Sequence, residues 1–161
     1  MLWRESMLPL RYMRTCVWVK PNGMPQITGD RPGMGYESIV CCHSGGRSRW
    51  NGGGRKGVFD FCSRDSGMGA EPNLHPSQKP LALMLELVSL FSDPGEVVID
   101  PYCGSGTTGA ACLRLGRRFV GIEKDAAWAK TARERLEAES RKQSIDQYRK
   151  GQTTIFERTK A

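Results

Sequence analysis

Two acidic residues of this chain, Asp100 and Glu123, each directly follow a short apolar run, and a glycine-rich segment lies between them. Gly104 and Gly106 in that segment lack a Cβ, so the backbone can turn sharply there and approach a ligand closely. A carboxylate at such a turn repels phosphate and attracts a cation. The pattern therefore predicts a cradle for a nucleotide-type cofactor that carries positive charge.

The elements that would position these residues are a strand, a turn, a helix and a second strand. The β-branched run after Asp93-Pro94-Gly95 predicts a strand over residues 96–100. A helix is expected over residues 106–115, with Thr107 and Thr108 available to cap its first turn. The second strand is expected over residues 119–123, which brings Glu123 to the same edge as the first acid.

Elsewhere, the patterns predict two more strands and two more helices. Apolar runs bounded by Pro and Gly clusters indicate strands over residues 15–20 and 38–43. Apolar residues at spacings of three and four predict two amphipathic helices. Their stripes are Leu81, Met84, Leu85, Val88 and Phe91 in the first, and Trp128, Ala132 and Leu136 in the second.

Spacing separates the cofactor chemistries that such a unit can serve. A P-loop needs Lys directly after its last glycine, where this chain has Thr107. Residues 104–109 satisfy G-x-G-x-x-G, and Glu123 lies near the position of a ribose-binding acid, so NAD remains an alternative. S-adenosylmethionine fits Asp100 better, because it carries a sulfonium and an α-ammonium group. An ordinary strand-helix-strand unit without a ligand also remains open.

Three motifs occur in a distinctive order. His75-Pro76-Ser77-Gln78-Lys79-Pro80 precedes Asp100-Pro101-Tyr102-Cys103-Gly104-Ser105-Gly106-Thr107-Thr108, and Gly121-Ile122-Glu123 follows. In this order they resemble the beta-class, permuted amino-methyltransferases of DNA, which methylate adenine N6 or cytosine N4, and they match the C-terminal portion of such enzymes. The resemblance implies an α/β, Rossmann-like methyltransferase fold and S-adenosylmethionine as cofactor.

The resemblance also implies roles for particular residues. Glu123 is expected to hold the ribose hydroxyls, while Ser77 and Lys79 border the methionine end of the cofactor. The full set of expected cofactor-binding residues is Ser77, Lys79, Asp100, Tyr102, Gly104, Gly106, Thr107, Thr108 and Glu123.

Double-stranded DNA is the expected partner, and the N-terminal half carries the residues expected to meet it. The chain has 24 Lys and Arg against 17 Asp and Glu, a net charge of +7. Residues 44–73 are rich in Gly, Ser and Arg, which suits a target-recognition region, although a solvated loop gives the same composition. The expected DNA-binding residues are Lys20, Asn22, Arg47, Arg49, Arg55 and Lys56.

The loop that should hold the target amine is missing from the pattern. Family members carry Asp, Asn or Ser followed by Pro-Pro and an aromatic residue, and this sequence has no Pro-Pro dipeptide. The catalytic residues are therefore unassigned, and we expect a sheet that is incomplete on its N-terminal side and folds poorly alone. Alternatives are a catalytically incomplete cofactor- or DNA-binding module, half of a split enzyme completed by a partner chain, and an NAD-linked oxidoreductase.

We divide the chain into late strands (1–43), the target-recognition-like insert (44–74), the S-adenosylmethionine-binding portion (75–142) and a polar tail (143–161). Gln152-Thr153-Thr154-Ile155-Phe156 in the tail resembles peptides that bind bacterial sliding clamps. Six cysteines without a C-x-x-C pair and two histidines predict neither a metal site nor a disulfide framework. With no apolar run long enough for a membrane span, we expect a cytoplasmic protein of a bacterial or phage-infected cell.

Overall fold

The structure, a computed structural model, describes residues 10–63 and 72–158, and the side chains of residues 10–63 and 72–151. It divides into two compact units, Met1–Ala70 and Glu71–Ala161. Part of the expected insert, residues 64–71, lies outside the described residues, as does the start of the chain. The four segments expected from the sequence stay predictions.

The first unit contains a three-stranded sheet. Its strands are β1 (Arg11–Val19), β2 (Tyr36–His43) and β3 (Val58–Asp60), in the order β2-β1-β3. β1 pairs antiparallel with β2 and parallel with β3. Both predicted strands are present, and each begins before the predicted position.

β3 lies in the segment for which no strand was predicted. Its central residue, Phe59, is fully buried, and Gly57 before it packs so closely on β1 that a Cβ would come within 2.6 Å of Cys16 Sγ. Trp18 on β1 is also buried and donates its indole N–H to Phe61 O at 2.8 Å. Part of the Gly- and Arg-rich segment is therefore built into the sheet, and Trp18 is a core residue.

The second unit alternates helices and strands. In chain order it contains α1 (Leu81–Phe91), β4 (Val97–Asp100), α2 (Thr107–Arg114), β5 (Arg118–Gly121), α3 (Ala126–Ser140) and α4 (Ile145–Arg158). β4 and β5 are parallel and adjacent, joined by α2, so the predicted strand-turn-helix-strand unit is present. The predicted strand over residues 96–100 begins one residue before β4, and the predicted strand over residues 119–123 begins one residue after the start of β5 and ends two residues beyond it.

The core of this unit forms where α1 meets α2. The buried cluster consists of Leu81, Val88, Ala110, Ala111 and Cys112, with Met84, Leu85, Val98, Leu115, Phe119 and Leu136 packed against it. Small side chains on α2 let its neighbours approach closely. The predicted apolar stripe of α1 and the predicted face of α3 at Ala132 and Leu136 both face inward.

The other face of the β4-β5 pair is open. Val97, Ile99 and Val120 alternate with the inward residues and are 44%, 63% and 47% exposed. The described strands form two separate sheets, of three and two strands. Both observations agree with the incomplete sheet expected from the sequence.

The segment predicted to be a polar tail contains a helix. Ile145 and Tyr148 at the start of α4 are buried against Ala138 of α3, with Leu74 packed beside them. Arg149 Nε also donates to Glu134 Oε2 at 2.8 Å. The backbone of residues 152–156 is helical within α4, whereas their side chains lie outside those described, so sliding-clamp binding stays a prediction. None of the described helices combines the length and apolar character needed to cross a bilayer.

Candidate cofactor site

The two acids predicted to line the cradle lie at the same edge of the parallel pair. Asp100 ends β4 opposite Gly121 of β5, and Glu123 follows two residues later. The Ile122 N–H donates to Asp100 O at 2.9 Å, and the Cys103 N–H donates back to Ile122 O at 3.0 Å. These bonds extend the strand pairing into the turn and bring both carboxylates to its mouth.

Asp100 is fixed by the turn and by the helix that follows. Its Oδ2 accepts from Thr108 Oγ1 at 2.6 Å, and its Oδ1 accepts from the Tyr102 N–H at 3.1 Å. Each carboxylate oxygen keeps lone-pair capacity for a further donor. The Tyr102 side chain is 88% exposed.

The prediction that Thr107 and Thr108 cap α2 is wrong. The N-cap residue is Gly106 in a left-handed conformation (φ 79°), and it makes no side-chain capping bond. Thr108 instead reaches back to Asp100, and Thr107 Oγ1 accepts from Arg135 Nη1 at 2.9 Å. Because these partners lie on other elements, the local sequence pattern could not reveal them.

The glycine turn is tight and packed. Gly104 and Gly106 have φ values of 51° and 79°, a region that residues with a Cβ rarely adopt. A Cβ on Gly106 would come within 3.2 Å of Ala132 Cβ on α3. The backbone of the turn therefore lies directly against α3, and glycine is required there for two reasons.

Glu123 is held by backbone donors on both sides. Its Oε1 accepts from the Asp125 N–H and its Oε2 from the Gly104 N–H, each at 3.0 Å. The pKa of Glu123 is lowered, first by the bond from Asp125 and further by the N–H groups of Gly104 and Lys124. Glu123 is therefore ionised at neutral pH, and it ties the start of the glycine turn to the end of β5.

A neutral thiol lies close to both acids. The pKa of Cys103 is raised by burial and by the charges of Asp100 and Glu123. The negative charge at the mouth of the turn thus comes from the two carboxylates, which is the arrangement that attracts a cation.

The loop at residues 75–80 lies on α3 and on the turn. His75 Nδ1 accepts from the Ser77 N–H at 3.0 Å, and its ring lies 4.3 Å from the Trp128 ring in an edge-to-face arrangement. Ser77 and Lys79 are exposed. The structure does not test their expected role at the methionine end, which stays a prediction.

Three residues without an individual role in the sequence analysis hold this site together. Gln78 Oε1 accepts from Ser105 Oγ at 3.0 Å, and Ser105 is buried. Arg135 of α3, 5% exposed, donates to Thr107 and, at 3.4 Å, to Ser105 O. Gln78 lies inside the motif at residues 75–80, so the sequence did point to its neighbourhood. Arg135 carried no such sign, because a charged residue on a helix normally faces solvent.

The expected DNA-binding residues lie in the first unit, where Lys20, Asn22 and Arg55 are among those that have partners. Lys20 Nζ lies 2.5 Å from Glu37 Oε1 and 4.8 Å from the Trp18 ring centroid. Asn22 Oδ1 accepts from the Ser63 N–H at 2.7 Å and from Ser63 Oγ at 3.1 Å. The four cations of the insert are exposed: Arg47, Arg49, Arg55 and Lys56. Within residues 10–63 and 72–158 no group of three or more His, Cys, Asp or Glu residues could hold a metal ion.

The family model for DNA methylases matches residues 9–134, which include the first sheet, both motif loops and most of α3. The chain belongs to the DNA methylase family. This confirms the family indicated by the three motifs.

Curated relatives and solved structures agree with this membership. The chain is 47% identical over 66 residues to the type II methyltransferase M2.DpnII of Streptococcus pneumoniae. This matched region is 41% of this chain and 25% of that protein. It is 44% identical, also over 66 residues, to the DNA adenine methyltransferase YhdJ of Escherichia coli strain K12, covering 41% of this chain and 22% of that one. The matched region thus spans about a quarter of each relative.

The crystal structure of the M1.HpyAVI–SAM complex superposes with a TM-score of 0.66 at 34% sequence identity, covering 79% of this chain and 63% of that one. The predicted α/β, Rossmann-like methyltransferase fold is therefore confirmed. The chain spans less than two thirds of this structural neighbour.

Proposed function

We propose that this chain binds S-adenosylmethionine and forms the cofactor-binding part of a DNA methyltransferase. The methyl group would pass to an exocyclic amine, N6 of adenine or N4 of cytosine, in double-stranded DNA. The observation that carries the proposal is the pair of carboxylates, Asp100 and Glu123, at one mouth of a left-handed glycine turn. Membership of the DNA methylase family and similarity to a protein crystallised with SAM support it.

The donor set fits this cofactor. S-adenosylmethionine combines two positive centres with ribose hydroxyls, and carboxylates attract the former and accept hydrogen bonds from the latter. Gly104 and Gly106 leave the turn without side chains, so the cofactor can approach the backbone. An NAD-type pyrophosphate would be repelled by Asp100, which is why NADH is the appropriate control ligand.

Different residues would bind different parts of the cofactor. Glu123 would receive the ribose hydroxyls, Asp100 would face the cationic side of the cofactor, and Ser77 with Lys79 would border its methionine end. The bound cofactor supplies an electrophilic methyl group on a sulfonium. The chain's own residues would orient that group by holding the two ends of the cofactor.

The first unit would supply DNA contacts. Residues 10–63 include eight Lys and Arg against three Asp and Glu, and the insert cations Arg47, Arg49, Arg55 and Lys56 are exposed. Exposed cations of this kind bind phosphate and release counterions. Lys20 and Asn22 would contribute only by exchanging their present partners, Glu37 and Ser63.

Calorimetric titration with S-adenosylhomocysteine tests the cofactor proposal, with NADH as control ligand and circular dichroism to confirm folding. We expect saturable binding of S-adenosylhomocysteine alone. Glu123→Gln should weaken it by about 10-fold or more, because a charged acceptor is lost. Glu139→Gln is the matched control, since Glu139 lies on α3 in an ion pair with Arg114. A folded wild-type chain that binds neither ligand would contradict the proposal.

A second candidate is a module that binds cofactor or DNA but needs another chain for catalysis. These 161 residues contain no Pro-Pro dipeptide, the feature that the family resemblance assigns to the amine-binding loop. Methyl transfer from labelled S-adenosylmethionine to a mixed-sequence duplex separates the two. Labelled DNA supports a complete enzyme, whereas cofactor binding without labelling supports the module. We also propose that the protein acts in the cytoplasm of a bacterial or phage-infected cell.

A further inference from the structure

A part-buried hydrogen bond joins the cofactor loop at residues 75–80 to the glycine turn. Ser105 Oγ donates to Gln78 Oε1 at 3.0 Å, and Ser105 is only 3% exposed. The same Gln78 oxygen also accepts from the Leu74 N–H at 3.0 Å, and Gln78 Nε2 donates to Pro72 O at 3.2 Å. Gln78 thus fixes its own loop and connects it to the turn.

The support continues beyond the loop. Leu74, whose N–H binds Gln78, packs against Ala138, Ile145 and Tyr148, where α3 meets α4. Because both N–H and hydroxyl donors converge on one amide oxygen, a change at Gln78 frees the loop on two sides. A buried serine hydroxyl that loses its acceptor lowers the stability of the fold, and this cost favours the Ser105–Gln78 hydrogen bond.

We propose that Gln78 is a positioning residue: through Ser105 it sets the distance between the loop that carries Ser77 and Lys79 and the glycine turn. This inference rests on the proposed function, because it assigns the loop to the methionine end of S-adenosylmethionine and the turn to its adenosine side. Loss of Gln78 then weakens the hold on the amino-acid part of the ligand and leaves the adenosine part in place.

Two ligands and two substitutions test this. S-adenosylhomocysteine contains the amino-acid part, and 5′-methylthioadenosine lacks it. Gln78→Met keeps the length of the side chain and removes both acceptor bonds, whereas Gln78→Glu keeps an acceptor for Leu74 and Ser105. We expect Gln78→Met to weaken S-adenosylhomocysteine binding by about 3- to 10-fold and 5′-methylthioadenosine binding by less than about 2-fold. Gln78→Glu should retain most of the wild-type affinity for both ligands.

Ser105→Ala provides the other half of a double-mutant cycle. The double variant Gln78→Met with Ser105→Ala should lose less affinity than the product of the single losses, because both substitutions remove the same bond. Gln143→Met and Ser140→Ala are matched controls at exposed positions, and each should bind like wild type. If Ser105→Ala fails to fold, the comparison of Gln78→Met with Gln78→Glu still decides the question.

The outcomes separate this inference from the proposed function. Selective loss for S-adenosylhomocysteine, restored by Gln78→Glu, supports it. Equal losses for both ligands in folded Gln78→Met indicate a general structural role and overturn it, as does unchanged affinity. A wild-type chain that binds neither ligand overturns the proposed function and this inference with it.

Discussion

Gly106→Ala should destabilise the protein more than the backbone conformation alone explains. Gly106 has a φ of 79°, and a Cβ there would lie 3.2 Å from Ala132 Cβ and 3.4 Å from Ala132 Cα on α3. Gly116, just after α2, has a φ of 71° with nothing within 4 Å of its Cβ position. The two glycines share the same backbone strain, and only Gly106 adds the close contact.

The expected magnitudes follow from these distances. An L-residue in the left-handed region costs about 1–2 kcal/mol, partly offset by about 0.4–1 kcal/mol from the stiffer unfolded chain. Gly116→Ala should therefore lower the free energy of unfolding by about 1 kcal/mol. Gly106→Ala adds an overpacked contact of about 1–3 kcal/mol, for a total of about 2–4 kcal/mol.

Urea denaturation followed by far-UV circular dichroism measures both changes. Ala132→Gly in the Gly106→Ala background should restore the packing part and leave the backbone part, with a further loss of about 1 kcal/mol for glycine in a helix. Equal destabilisation by Gly106→Ala and Gly116→Ala would refute the close approach of the turn to α3.

Two further predictions concern titratable groups. The lowered pKa of Glu123 means that its contribution to stability is present above the unfolded-state pKa, about 4.3, and is lost as pH falls through the lower folded-state pKa. Urea midpoints should thus fall with acid in wild type and less steeply in Glu123→Gln; parallel curves would contradict this. Burial, with the adjacent Cys16, raises the pKa of Cys41 to about 12, so native Cys41 should resist iodoacetamide while exposed Cys62 reacts. Mass spectrometry of the native protein measures both rates, and similar labelling of the two thiols would count against the buried environment.

Local patterns predicted the elements of the second unit well. The β-branched run before Asp100, the glycines at 104 and 106 and the apolar stripe of α1 each depend on residues within one or two turns of the chain. Their conformational preferences are short-range, so the sequence expresses them directly. The predicted strands differ from β4 and β5 only at their ends.

The elements that were missed depend on distant partners. β3 has three residues, too few to show an alternation, and it exists because it pairs with β1 far earlier in the chain. α4 is mostly polar, and the burial of Ile145 and Tyr148 against Ala138 fixes its first turn. Arg135 is charged and yet buried, because the Thr107 hydroxyl and the Ser105 carbonyl, which lie outside α3, accept hydrogen bonds from its guanidinium group.

Local sequence patterns were sufficient to identify the acids and the glycines of the cradle. Two acids at strand ends, glycines where the backbone turns left-handed, and the motif order that indicates the family were all legible without a structure. The hydrogen-bond partners of these residues depend on the tertiary structure. Thr108 contacts Asp100 instead of capping α2, and Gln78 meets Ser105 across two segments. A residue's backbone preference is set by its own side chain and near neighbours, whereas its hydrogen-bond partner is chosen by the packing of segments that are distant in the chain.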